Sequence, residues 1–381
     1  MKKVLVISEV PTHPIVAGNQ QYTLAYISLI KEMGYDVYYF LGYEHYVKRE
    51  LFEETKDFWE DHFLYYKQNS FLSCYQRVIR KTHKIFQNIT RRYVYKIDVI
   101  YMKGMNSFLR KIQQRYKFDI VVVNYIFYSK AFLAFPTAKK ILVTHDVFTN
   151  RYERTGVMSF FSTSAEQEKK ALDRSDCILS IQENESIFFR YLTNKKVITG
   201  YCPVEERITP FCNNKSIAYI GAGIPYNVKS IHDFVRNVFP LILANFPDVM
   251  LYVAGSVCES FDHSLYHSNV VLLGRVNDID SFYKISDIII NPTENGTGLK
   301  IKNVEALMYN KILISHPHTI EGFFEQDSVP IKLASTPQEY ADIISVLLND
   351  PQKIIDSKNE VKNYIKKYNT FVRNQLQKVF T

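Results

Sequence analysis

The chain has 381 residues, 46% of them hydrophobic and 23% charged, which fits two globular domains and excludes a disordered or fibrous protein. A formal net charge of +8 suits an anionic partner, whether phosphate, lipid surface or nucleic acid, without choosing among them. Five cysteines, Cys74, Cys177, Cys202, Cys212 and Cys258, are an odd set without C-x-x-C spacing, so neither a zinc site nor a disulfide framework is expected and a reducing cytoplasm fits. Tyr (28) and Phe (26) outnumber Gly and Pro, a usage that suggests an AT-rich bacterial genome. Met1-Lys2-Lys3 resembles the start of a signal peptide, but Ser8-Glu9 breaks the apolar run at once, so export by that route is not expected. No stretch approaches the length of a spanning helix, which limits any membrane contact to a peripheral one.

In chain order, residues 3–10 give an apolar run, 11–18 a turn region and 20–33 a helical pattern closed by Gly34; residues 36–41 form the next strand of a βαβ unit. Runs at 118–124, 140–144, 176–181 and 197–199 continue the series, and their apolar character on both faces predicts a parallel sheet covered on both sides. Residues 43–117 read as a long insertion, helical and rich in Tyr, Phe, Lys and Arg. Within it 71–95 mixes apolar residues with Arg77, Arg80, Lys81, Lys84, Arg91 and Arg92. That pattern fits either a basic amphipathic helix on an anionic membrane or helices covering the sheet with solvated charges.

Residues 201–215, with two prolines and no clear period, read as a linker between an N-terminal domain, 1–200, and a C-terminal one, 216–365; residues 366–381 read as a helix that crosses back to the first domain. The second series has strands at 217–220, 250–253, 270–273, 287–291 and 312–315, with helices at 230–244, 278–286 and 302–309. Two Rossmann-like α/β domains in tandem place a ligand cleft at their strand carboxyl ends.

The richest segment is 287–315, DIIINPTENGTGLKIKNVEALMYNKILIS, a buried strand, a glycine-bearing loop, a helix and another strand. Gly296 and Gly298 allow close approach of backbone to a ligand, and the N-terminus of the following helix offers unpaired N–H groups to an anion. Lys300 and Lys302 add charge, and Glu305 can accept hydrogen bonds from sugar hydroxyls. GTGLKIKNVEAL followed by NKILIS resembles the donor-site signature of retaining glycosyltransferases of family 4, the large GT-B family that includes many capsule and lipopolysaccharide enzymes.

The resemblance implies that Glu305 holds the ribose of a nucleotide sugar, while Asn295, Gly296, Thr297, Gly298 and Leu299 meet the diphosphate and the sugar. Many members carry an earlier glutamate in this motif; here Asn295 precedes the loop and Glu294 is offset by one residue. The turn containing Gly18 resembles the family's N-terminal glycine loop, or is an ordinary strand-to-helix turn. Thr144-His145-Asp146 resembles the family's "HD" position, with a histidine near the reacting sugar; the alternatives are a capping aspartate and a satisfied histidine. AYIGAGIPYNVK at 218–229 opens like a dinucleotide fingerprint, but Tyr226 stands where the third glycine is required, so an NAD site fails. It resembles instead the opening of a donor domain, with Gly223 lining the cleft and Lys229 either reaching a phosphate or solvated. Gly255 and Arg275 fall at the next two strand ends.

Asp278-Ile279-Asp280 has the D-x-D form of metal-dependent transferases, but it sits at a predicted helix start, where aspartate caps. The GT-B plan needs no metal and no cofactor, the nucleotide sugar being a substrate. Gln182-Glu183-Asn184-Glu185 either touches the acceptor or caps a helix. The expected reaction is attack of an acceptor hydroxyl on the anomeric carbon of a UDP- or GDP-linked sugar, with retention, the acceptor being a glycan or lipid-linked glycan of bacterial surface polysaccharide synthesis. A cytoplasmic enzyme with peripheral contact to an anionic membrane fits this, and no nucleic-acid-binding module is recognisable. Two other readings stay open: a catalytically silent partner subunit, and a nucleotide-sugar epimerase of the same fold, for which no paired carboxylates stand out.

Overall fold

A sheet covered on both faces needs strands that are apolar throughout, and Val4, Leu5, Val6 and Ile7 are all fully buried, as are Val121, Val123 and Leu142. The computed structural model describes every residue except 16–17, 44–46, 91–93, 156–161, 208, 213, 266, 296–298 and 381. The chain forms two units, Met1–Pro203 with Val372–Thr381, and Val204–Phe371. The first holds β1 (Lys3–Ser8), β2 (Asp36–Tyr43), β3 (Phe63–Lys67), β4 (Ile120–Asn124), β5 (Lys139–Val143), β6 (Cys177–Ser180) and β7 (Lys196–Thr199). They make one parallel sheet in the order β3-β2-β1-β4-β5-β6-β7. The second holds β8 (Ser216–Ile220), β9 (Met250–Ala254), β10 (Val270–Gly274), β11 (Ile288–Asn291), β12 (Ile312–Ser315) and β13 (Ile331–Leu333). Their order, β10-β9-β8-β11-β12-β13, is again parallel and doubly wound. In both sheets the winding reverses once, between β1 and β4 and between β8 and β11.

Three features depart from the sequence expectation. The insertion 43–117 is not helical throughout: between the helices Arg49–Trp59 and Ser70–Thr90 it supplies β3, which extends the sheet beside β2 from Tyr39↔Phe63 to Tyr43↔Lys67. Its sequence, FLYYK, is a half-exposed edge strand whose aromatics satisfy β preference without alternating cleanly. β13 has only three residues, too few to show a period. The helix expected at 230–244 starts at Pro225, which sits in the first turn where its missing N–H costs nothing, and passes through a π-helical stretch, Phe234–Val238, before Phe239–Leu243. Pro240 explains that stretch, because its ring and absent N–H disrupt the regular ladder one turn earlier.

The second unit is braced by a buried ion cluster. Asp287, at the entrance of β11, accepts from Lys358 Nζ at 2.7 Å and Lys311 Nζ at 3.2 Å, and from the Cys212 amide at 2.6 Å. The Lys311 side chain has no exposed surface. Burial alone would raise the Asp287 pKa, but the Lys358 hydrogen bond and the Lys311 charge hold it below the ordinary carboxylate value. One carboxylate thus ties the helix Pro351–Phe380, the strand entrance and the segment before β8 together. Asp287→Ala leaves two ammonium groups without their anion and is expected to cost about 3–5 kcal/mol of stability in urea denaturation. Because the folded pKa is depressed, the wild-type contribution is present above about pH 4, the unfolded value, and is lost as pH falls through the folded one, which a denaturation series run into acid reads directly.

Candidate functional site

In the second unit the winding reverses where β8 and β11 lie side by side, the place where open α/β sheets receive ligands. Beyond β8 and β9 the chain turns through glycines that no other residue replaces. Gly255 has φ +94°, and a Cβ on it would meet the Gly221 carbonyl oxygen at 2.2 Å. Its N–H donates to Gly274 O at 2.7 Å. A Cβ on Gly223 would lie 2.8 Å from the Ser256 carbonyl oxygen, and the Gly223 N–H donates to Ser256 Oγ at 2.9 Å. The ends of β8, β9 and β10 are therefore locked together as bare backbone.

Beyond β11, Asn295 is exposed, Leu299 is buried, and Gly296, Thr297 and Gly298 lie outside the described residues. Lys300 caps the helix Ile301–Met308 without a side-chain bond to it. This helix is anchored from beneath: Asn291 Nδ2 donates to Asn303 Oδ1 at 2.6 Å, and Asn303 Nδ2 donates to Thr319 Oγ1 at 3.0 Å. In its first turn the Asn303 amide donates to Lys300 O at 2.9 Å, and the turn carries the positive end of the helix dipole.

Lys302 lies in that turn, half-buried, with Nζ 3.4 Å from each of three neutral oxygens, Tyr219 Oη, Asn227 Oδ1 and Thr293 Oγ1, and 4.8 Å over the Tyr219 ring. Among the described residues no carboxylate pairs with it. Burial, and to a lesser degree the charge of Lys300, lowers its pKa to about 7. One turn on, Glu305 accepts from Tyr283 Oη at 3.1 Å, and the Tyr283 ring stacks on Tyr309 at 4.3 Å. Tyr309 and Arg207 both hold Asp280, and Asp278 caps the helix Ile279–Tyr283, so the D-x-D pair is spent on structure. An ammonium with no anion among the described residues, beside the positive end of a helix and a carboxylate fixed by tyrosine, is a place for a ligand with both phosphate and hydroxyl groups.

The structure thus groups Lys300, Lys302 and Glu305 on one helix and Gly223 with Gly255 at the neighbouring strand ends. Lys229 and Arg275 are exposed and engaged with acids, Lys229 with Asp233 and Arg275 with Glu259, each at 2.6 Å.

In the first unit the residues after β4 and β5 form a second cluster. Tyr125 and His145 both have positive φ, +66° and +65°, and their rings stack at 4.3 Å and 17°. Such backbone is strained for non-glycine residues and is held here by its surroundings. His145 Nε2 lies 3.1 Å from Asn124 Oδ1, Tyr22 meets the ring edge-on, and burial lowers the His145 pKa to about 3. Gly18 is the first residue of the helix Gly18–Glu32, and the next, Asn19, donates to Tyr125 Oη at 2.9 Å. Asp146 faces its own chain: Oδ1 accepts from the Val147 amide and Oδ2 pairs with Arg151 at 2.8 Å. Glu185 is buried, hydrogen-bonded by Gln182 through one oxygen, and its pKa is raised to about 8 by burial and then by the charge of Asp146.

Sequence reasoning missed Asn19, Tyr125, Asn227, Tyr219 and Thr293. Tyr125 and Thr293 each follow a buried strand within two residues, and Asn227 is the one amide in AYIGAGIPYNVK, which is the available signal.

Residues 214–350 match the family described as glycosyl transferases group 1. An uncharacterized 44.6 kDa protein in the cps region of Klebsiella pneumoniae is 21% identical over 356 residues, 84% of each chain. The structure resembles a mutant of S. aureus TarM, solved with fondaparinux, α-GlcNAc-glycerol and UDP, at TM-score 0.69 and 11% identity over 100% of both chains. It also resembles the pneumococcal O-GlcNAc transferase GtfA with UDP and GlcNAc, at TM-score 0.67 and 10% identity, over 100% of this chain and 99% of that one. Anabaena HepE with UDP and glucose follows at TM-score 0.62 and 12% identity, with the same coverage. With two doubly wound parallel sheets in the arrangement of the GT-B fold, the chain thus carries a glycosyl transferases group 1 domain over residues 214–350.

Proposed function

We propose that the enzyme moves a sugar from a nucleotide-sugar donor to a hydroxyl of a glycan or lipid-linked glycan, with retention of configuration, in the synthesis of a bacterial surface polysaccharide at the cytoplasmic face of the membrane. The observation that carries this reading is Lys302, a desolvated ammonium with no carboxylate partner among the described residues, at the amide end of a helix that presents Glu305 one turn later. In the reaction the bond from the anomeric carbon to the diphosphate oxygen breaks, the bond to the acceptor oxygen forms, and the acceptor hydroxyl gives its proton to the departing diphosphate. Charge gathers on the departing diphosphate, where Lys302, Lys300 and the helix amides neutralise it without a metal. Glu305, oriented by Tyr283, takes the ribose hydroxyls.

The second unit is the donor domain in this reading and the first the acceptor domain. His145 stays neutral at physiological pH, so it acts by hydrogen bonding and not as an acid. With Asn124 Oδ1 accepting from Nε2–H, Nδ1 is left to accept from a sugar hydroxyl. The UDP in the TarM, GtfA and HepE structures supports a uridine diphosphate donor, with a GDP sugar the alternative. The cps-region relative supports the polysaccharide assignment.

The test is a panel of nucleotide sugars read by thermal stabilisation and by slow donor hydrolysis. The right donor at a hundredfold excess over its Kd stabilises the fold by about 2.7 kcal/mol and is turned over. Binding without turnover, even with lipid-linked acceptors, would instead mark a silent partner subunit, and binding of no nucleotide would refute the reading. Lys302→Met and Glu305→Ala are each expected to weaken binding of the matching nucleoside diphosphate about 10- to 100-fold, the worth of one hydrogen bond to a charged group. At pH 8 the free Lys302 is mostly deprotonated, and a bound diphosphate raises its pKa. Binding then takes up a proton, seen as a calorimetric enthalpy that varies with buffer ionisation, and affinity falls as pH rises above about 7; Lys302→Met abolishes the uptake. For His145, hydrolysis shows no inflection near the ordinary histidine value of about 6.5, while His145→Ala lowers kcat with little change in donor affinity.

A further inference from the structure

We infer that the helix Ser70–Thr90 is a docking surface for a bilayer of anionic lipids. Among its 21 residues are Arg77, Arg80, Lys81 and Lys84 and no Asp or Glu; Arg91 and Arg92, which follow it, lie outside the described residues. Three of its polar residues face the protein: Arg80 donates to Ile100 O at 2.7 Å, His83 stacks on Tyr95, and Gln87 donates to Val94 O at 3.1 Å. Six of its large apolar residues face outward instead. Phe71, Tyr75, Val78, Ile85, Phe86 and Ile89 are all exposed, Phe71 at 80% and Ile89 at 76%. At about 100° per residue these six fall on one stripe, so the helix is amphipathic with the wrong side out for water.

Charge decides what covers the stripe. Arg77 and Lys81 are exposed along one border of it, and among the described residues neither has a carboxylate partner. Lys103, from the loop before the helix Met105–Tyr116, sits 3.9 Å over the Tyr75 ring. An apolar stripe edged by unpaired cations matches an interface of acyl chains beneath phosphate headgroups. A second copy of the same face would bring like charges together. Among the described residues no helix is long and apolar enough to cross a membrane, so this contact is peripheral. The inference deepens the lipid-linked acceptor reading and rests on it only for the choice of leaflet; the surface itself is independent of donor chemistry.

The test is co-sedimentation of the full chain with vesicles of phosphatidylcholine alone and of phosphatidylcholine and phosphatidylglycerol in equal amounts. The protein binds the anionic vesicles and is released by high salt. The triple variant Phe71→Ser/Phe86→Ser/Ile89→Ser and the pair Arg77→Glu/Lys81→Glu each reduce that binding by about tenfold or more. Nucleoside diphosphate stabilisation of both variants stays at the wild-type level, which shows that they fold and separates this outcome from failure of the donor reading. Equal binding by wild type and variants, or no binding to anionic vesicles, overturns the inference. So does a wild-type dimer in sedimentation velocity that the triple variant abolishes without any vesicle binding.

Discussion

The constraint from which the rest follows is the single reversal of winding in each parallel sheet. Strands that run the same way must be joined by crossovers, and where the crossovers change side, between β1 and β4 and between β8 and β11, no chain covers the strand ends. The protein fills these two openings differently. In the second unit it leaves bare glycine backbone and an ammonium, Lys302, with no carboxylate partner among the described residues. In the first it packs aromatic rings against a neutral histidine.

That contrast gives each unit its chemistry. Lys302 is kept out of water by Tyr219, Asn227 and Thr293, none of which returns a full negative charge, and burial lowers its pKa. Rigidity beneath it comes from the Asn291–Asn303–Thr319 chain of hydrogen bonds, a buried polar network whose members satisfy one another. His145 and Tyr125 instead hold strained backbone at the ends of β4 and β5, which fixes the imidazole edge without leaving it chargeable. Asp146 and the D-x-D pair, although acidic and near strand ends, are already engaged with Arg151, Arg207, Tyr309 and helix amides.

The apolar runs at 118–124 and 287–291 were readable as buried strands because burial on both faces leaves no room for polar residues. The helix carrying Lys302 and Glu305 was readable because glycine, lysine and glutamate recur there at fixed spacing. Edge elements were not. β3 is half-exposed and β13 has three residues, so neither imposes a pattern on composition. Nor was the partnering of charges. Lys229 and Lys302 look alike in sequence, but one meets Asp233 across a helical turn in solvent, and the other faces neutral oxygens. Tyr125 belongs to the same class: its role comes from Asn19, 106 residues away along the chain, and from the imidazole of His145 beyond the next strand.

The most direct measurement is a crystal structure of the chain with the nucleotide sugar that stabilises it. The account predicts the diphosphate within hydrogen-bonding distance of Lys302 Nζ and the first-turn amides of Ile301–Met308, with ribose hydroxyls on Glu305. A nucleotide bound away from that helix, with Lys302 still surrounded by neutral oxygens, would contradict it.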